Sequence, residues 1–123
     1  VIVVHGNDGV DEISITDDSS VSELKDGEIK NYEISPKDFG LSYGKFESIK
    51  ASSPQESFEK VSLAFAGREG SVQDMIAINS AAALKLSGIV KSMKDGVELS
   101  KSAMNEGLAQ SKLESYVKMS NNL

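Results

Sequence analysis

His5-Gly6-Asn7-Asp8-Gly9-Val10-Asp11-Glu12-Ile13-Ser14, directly after the apolar run Val1-Ile2-Val3-Val4, decides how this chain is read. A strand feeds a turn with two glycines that ends in two adjacent carboxylates. Glycines let the backbone turn sharply and pass close to a ligand. Carboxylate oxygens suit a hard cation such as Mg²⁺. In α/β sheets, ligands bind at the carboxyl ends of strands, where this turn lies. From the residues alone Asp11-Glu12 has two readings, a cation-binding pair or a solvated acidic turn. Neighbouring strand residues point to opposite faces, so the two acids converge on one ion only if the turn is irregular.

Working outward, Val1 to His5 reads as a strand covered on both faces. Glu12 to Thr16 alternates as a short strand around Ile13 and Ile15. Asp17-Asp18-Ser19-Ser20 is a turn. Val21–Lys25 and Glu28–Ile34 flank Asp26-Gly27, a two-residue hairpin signal. Pro36–Gly40 reads as one helical turn closed by glycine, and Gly44–Ala51 as extended chain. Ser53-Pro54-Gln55-Glu56 matches a capping box with proline at the first helical position. The helix it opens carries Phe58, Val61, Ala64 and Phe65 and ends at Gly67 and Gly70.

Ser71 is expected to cap the next helix, whose stripe runs Val72, Met75/Ile76, Asn79, Ala82/Ala83, Leu86 and Ile89/Val90. Ser92-x-x-Asp95 opens a further helix with Val97, Leu99, Ala103 and Met104. Gly107 interrupts it, and a last helix carries Ala109, Leu113 and Tyr116/Val117. Strands and a hairpin come first and helices follow, so the chain alone reads as α+β.

Several residues have ordinary structural readings. Asp8, in an Asp-Gly step, is a turn residue bonding its own backbone. His5, the single histidine, anchors the turn by a hydrogen bond and is given no catalytic role. Asn79 lies in an apolar stripe, so its amide needs partners and ties a neighbouring loop. Lys85, Lys91, Lys94 and Lys101 are exposed helix charges.

The chain has 123 residues, no cysteine and a net charge of −6. Disulfides and cysteine-metal sites are excluded, which fits a cytoplasmic protein. Residues 1–60 carry −7 and residues 61–123 carry +1. The basic stripe of a nucleic-acid binder is absent, so no nucleic-acid partner is expected. No apolar run approaches the roughly 20 residues that span a membrane. The chain opens inside an apolar strand rather than on a polar end, so a piece of a longer protein is expected.

In order along the chain, the H-G-x-D-G-x-D-E-x-S run, Val21-Ser22-Glu23-Leu24, Asp26-Gly27, Pro36-Lys37-Asp38-Phe39-Gly40-Leu41, Ile76-Ala77-Ile78-Asn79-Ser80-Ala81-Ala82-Ala83-Leu84, Gly96-Val97-Glu98-Leu99 and Gly107-Leu108-Ala109 resemble the anthranilate phosphoribosyltransferase family. The resemblance covers only the carboxyl-terminal part of that family. It implies a large α/β domain of the phosphoribosyltransferase and nucleoside phosphorylase type. Residues 1–123 would be its carboxyl-terminal portion, and an upstream helical domain and glycine-rich loop would be absent.

The resemblance further implies Mg²⁺-dependent transfer of phosphoribosyl from 5-phosphoribosyl-1-pyrophosphate to anthranilate in tryptophan biosynthesis. Asp11 and Glu12 would be the metal-binding acids, and the complete enzyme would be a homodimer. The residues that hold anthranilate would lie upstream, so these 123 residues alone would be inactive. Ser57-Phe58 departs from the asparagine-alanine often found there, and Asp17–Ser20 is more acidic than the usual turn. The alternatives are a fragment of a pyrimidine nucleoside phosphorylase-like enzyme, or a non-catalytic binding relative of the same fold. The H-G-x-D-G-x-D-E run counts against the first.

Overall fold

The computed structural model describes residues 1–121. Its strands are β1 (Ile2–Gly6), β2 (Ser19–Lys25) and β3 (Glu28–Ile34). A single 3₁₀ turn, Pro36–Phe39, leads to five helices: α1 (Phe46–Ile49), α2 (Pro54–Phe65), α3 (Ser71–Leu86), α4 (Met93–Asn105) and α5 (Leu108–Ser120). Sheet first and helices after is the arrangement expected of the chain alone, α+β, as a part of a larger α/β domain.

The sheet is antiparallel in the order β1-β2-β3. Lys25 pairs with Glu28 across Asp26-Gly27. Both turn residues have positive φ, 51° and 82°, which matches the twist a two-residue hairpin requires. β1 is covered on one face only. Ile2 and Val4 turn inward, while Val1 and Val3 stand 73% and 62% exposed. Among the described residues β1 pairs with β2 alone and no helix covers its outer face, which leaves that side of the apolar run open.

Helix ends follow local chemistry. Ser53 Oγ accepts the Glu56 amide at 3.1 Å and Ser92 Oγ accepts the Asp95 amide at 3.1 Å. Glu56 reaches back to Ser52 rather than to Ser53, taking its amide at 2.8 Å and its hydroxyl at 2.6 Å. These bonds from the Ser52 hydroxyl and backbone, with Lys60 nearby, lower the Glu56 pKa to about 2. Gly40 and Gly107 close their elements in the left-handed conformation.

Four expectations are corrected. Glu12–Thr16 is not a strand but part of the β1–β2 loop; both isoleucines are buried, and so is Ser14 between them. Segment 44–51 is not extended, because Phe46–Ile49 forms one helical turn. The α3 N-cap is Gly70, not Ser71, and α3 stops at Leu86, where Ser87 and Gly88 turn the chain. The most buried face of α3 is Gln73, Ala77, Ile78 and Ala81, rotated from the expected stripe.

The rotation has a steric cause. Gly96 on α4 lies so close to α3 that a Cβ there would stand 2.8 Å from Ala81 Cα. This approach turns the small residues of α3 toward α4. Gln73, 1% exposed, is admitted to the core by a 3.0 Å bond from its Nε2 to Asn105 Oδ1. Lys101 adds a 2.6 Å ion pair to Asp74. The core joins the two helices to Ile13, Ile15 and Leu41. The loop carrying the acidic pair is therefore rooted in the centre of the molecule.

Candidate functional site

The β1–β2 loop is shaped first by its backbone. The Gly6 amide donates to the Val10 carbonyl at 2.9 Å, the Gly9 amide to the Gly6 carbonyl at 2.9 Å, and the Asn7 amide to the Asp18 carbonyl at 2.8 Å. A Cβ on Gly6 would stand 2.6 Å from Val10 Cγ2 and 2.7 Å from Asp8 Oδ1. Glycine at position 6 is thus required by close approach. At Gly9 it is required by a φ of +95°.

Asp8 is the hub of this loop. Its Oδ1 accepts the Val10 amide at 3.3 Å, the expected turn bond. Its Oδ2 also accepts the Ser14 hydroxyl at 2.6 Å and the Thr16 hydroxyl. Ser14 Oγ in turn accepts the amides of Thr16 at 2.9 Å and Asp17 at 3.2 Å, and the Ser14 amide donates to Ser19 Oγ at 2.8 Å. Burial pushes the Asp8 carboxyl up, but the bonds from Ser14, Thr16 and the backbone outweigh it and hold the group below its ordinary pKa. The serine and threonine partners were not foreseen. Their signal was hydroxyl residues at 14, 16 and 19 after an Asp-Gly step, which the strand-like alternation of Ile13 and Ile15 hid.

Asn79 reaches the loop from α3. Its Oδ1 accepts the Ile13 amide at 2.9 Å, and its Nδ2 donates to the Ile13 carbonyl at 2.9 Å and to the Met75 carbonyl at 3.0 Å. The expected loop-tying role is met. His5 does not anchor the turn: it is exposed, and among the described residues its side chain makes no hydrogen bond.

Asp11 and Glu12 lie between these fixed points. Both are exposed, and among the described residues neither carboxylate has a hydrogen-bond or ion-pair partner. Glu12 lines a groove of about 410 Å³ with Val10, Phe46, Ile49, Lys50, Met75, Ile76 and Asn79, whereas Asp11 does not. The loop thus presents the two acids differently.

No cluster of three or more histidine, cysteine, aspartate or glutamate side chains able to enclose an ion occurs among the described residues. Mg²⁺ commonly takes one or two carboxylates and completes its octahedron with waters and substrate phosphates. Two unpartnered hard-oxygen donors on an exposed loop fit such an open shell. They do not fit a closed protein cage. No helix among the described residues is long and apolar enough to cross a membrane.

Residues 1–110 match the family model described as glycosyl transferase family, a/b domain. Among curated relatives, an anthranilate phosphoribosyltransferase of Ruthia magnifica is 41% identical over 120 residues, 98% of this chain and 35% of the relative. That of Neisseria meningitidis is 41% identical over 95% of this chain and 34% of the relative. This chain therefore spans about a third of the length of the curated relatives it matches. Among solved structures, anthranilate phosphoribosyltransferase from Thermus thermophilus superposes with a TM-score of 0.84 at 30% identity, covering 95% of this chain and 34% of that one. The Saccharomyces cerevisiae protein in complex with PRPP and Mg gives 0.84 at 21% identity over 99% of this chain and 35% of that one, a likeness of fold.

Proposed function

The chain belongs to the glycosyl transferase family, by its a/b domain, and from that membership we propose that it is the carboxyl-terminal part of an anthranilate phosphoribosyltransferase. The complete enzyme moves phosphoribosyl from 5-phosphoribosyl-1-pyrophosphate to the amine of anthranilate, a step of tryptophan biosynthesis. The observation that carries this reading is the similarity to anthranilate phosphoribosyltransferases along nearly the whole chain. The unpartnered acids on a rigid loop support it. The remaining parts, a helical domain and a glycine-rich phosphate loop, belong to the segment upstream. A homodimeric, cytoplasmic enzyme completes the proposal.

In this reaction negative charge grows on the leaving pyrophosphate while the ribose carbon becomes cation-like. Mg²⁺, when bound, neutralises that charge. Asp11 and Glu12 are the residues that would hold it. The rest of the loop keeps their backbone in place, so the site is arranged before the substrate arrives. Neither acid is asked to move a proton, since the anthranilate amine is already a nucleophile.

The test is the fall of anthranilate fluorescence with 5-phosphoribosyl-1-pyrophosphate and Mg²⁺, for the complete enzyme and for residues 1–123 alone. Positioning both reactants supplies much of the rate. We therefore expect turnover from the complete enzyme and none from the isolated chain. A complete enzyme that leaves anthranilate untouched would remove the proposed activity. Turnover that copurifies with the isolated chain and vanishes in an Asp11 variant would show that the upstream part is dispensable.

A further inference from the structure

We infer that Asn79 is a positioning residue for the acidic pair, acting through the Glu12–Ile13 peptide to fix where the Glu12 carboxylate stands. The inference rests on the reading of Glu12 as a magnesium ligand. The observation is a two-point clamp between residues 66 apart in sequence: Asn79 holds both the amide and the carbonyl of Ile13, each at 2.9 Å.

The amide can sit in one orientation only. The Ile13 N–H needs an acceptor, while the Ile13 and Met75 carbonyls need donors. A flipped side chain would set donor against donor and acceptor against acceptor. The clamp grips the peptide plane itself. Ile13 N belongs to the planar unit that includes the Glu12 carbonyl, so holding that N–H fixes the rotation of the unit. Rotating it would swing Glu12 away from its present direction. The Ile13 side chain, 2% exposed, seats the same residue in the core.

The other end of the acidic step is fixed independently. Val10 is held at its carbonyl by Gly6 and at its amide by Asp8. Asp11 and Glu12 therefore form a short free span between two clamped residues, and Asn79 supplies the polar clamp at the Glu12 end. Asn79 and Glu12 also line the same groove. A group that orients a metal ligand in this way commonly changes metal affinity or activity about 10–100-fold when removed.

The experiment uses the complete enzyme with Mn²⁺ in place of Mg²⁺, saturated with 5-phosphoribosyl-1-pyrophosphate and without anthranilate, so that nothing turns over. Ion binding is read from loss of the free Mn²⁺ electron paramagnetic resonance signal, and thermal midpoints are taken in parallel. Asn79→Ala should weaken Mn²⁺ binding about tenfold. Introduced into Glu12→Gln, the same change should weaken it less than about twofold, because the ligand it orients is already gone. Asn79→Leu, neutral and close to asparagine in volume, loses all three bonds without adding charge beside the ion; it should shift binding in the same direction, and it serves if the alanine variant folds poorly.

Unchanged Mn²⁺ binding in a folded Asn79 variant, with only a lowered thermal midpoint, would overturn the inference and leave the ligand assignment standing. A full shift that persists in the Glu12→Gln background would overturn it as well. Glu12→Gln that alone leaves Mn²⁺ binding unchanged would remove the ligand assignment, and this inference with it.

Discussion

Where Gly96 meets Ala81, α4 and α3 pack by close approach, with the Gln73–Asn105 bond and the Lys101–Asp74 ion pair farther along the same contact, while the β1–β2 loop is held by oxygen: one aspartate, two serines, a threonine and the amide of Asn79. The helix contact depends on volume. At position 96 even a single Cβ is too large, since it would stand 2.8 Å from Ala81 Cα. The loop contact depends on direction. The amides of Val10, Ile13 and Ser14 are each held by a side chain there, and among the described residues the two acids make no such bond. A scaffold can be built by fit alone, but presenting exposed carboxylates in a set direction needs bonds that resist rotation. The two regions meet at Ile13, which packs against the core and meets both arms of the Asn79 clamp, donating its N–H and accepting at its carbonyl.

The contrast breaks most visibly at the helix contact. Gly96→Leu places a Cβ 2.8 Å from the backbone of Ala81, where nothing flexible can yield. Overpacking of this kind costs about 3 kcal/mol, against roughly 1 kcal/mol regained from replacing a helical glycine. Denaturation midpoints should fall by the difference, about 2 kcal/mol or more. A midpoint equal to that of the unchanged protein would mean the helices can separate freely.

The loop should lose less stability and more order. Asp8→Ala strips the partner from the Val10 amide and from the Ser14 and Thr16 hydroxyls, which costs about 1–2 kcal/mol in a half-exposed site. Its pH dependence has a definite sign. The folded state holds Asp8 below its ordinary pKa, so its stabilisation is fully present above the unfolded value of about 3.9 and fades as pH falls through the folded value. The midpoint gap between the variant and the unchanged protein should therefore be constant near neutrality and narrow below about pH 4. A gap that widened in acid would contradict the assignment of Asp8 as a bonded carboxylate.

The same contrast explains what could be read from the sequence. The Asp26-Gly27 hairpin, the Ser53 and Ser92 caps and the Gly107 break are decided by neighbouring residues, and each stands where its local chemistry points. The acidic pair was likewise visible as a motif. Its support was not, because Asn79 and Ile13 lie far apart in sequence and only the fold joins them. Ile13 and Ile15 imitated a strand because alternation was visible, while the bonds that bury Ser14 between them were not. The face of α3 was misjudged since Gly96, on another helix, decides which side of α3 is approached. Phe46–Ile49 was missed because one helical turn is too short to show a period.

The central claim, that the exposed acids of a rigid loop hold the magnesium ion of a phosphoribosyl transfer, is tested most directly by replacing them together. Asp11→Asn with Glu12→Gln in the complete enzyme keeps size and polarity and removes two charges from side chains that make no hydrogen bond or ion pair among the described residues. Steady-state rates against Mg²⁺ concentration should lose most of their magnesium-dependent turnover, with circular dichroism and thermal midpoint unchanged. Rates and magnesium dependence equal to those of the unaltered enzyme would contradict the account.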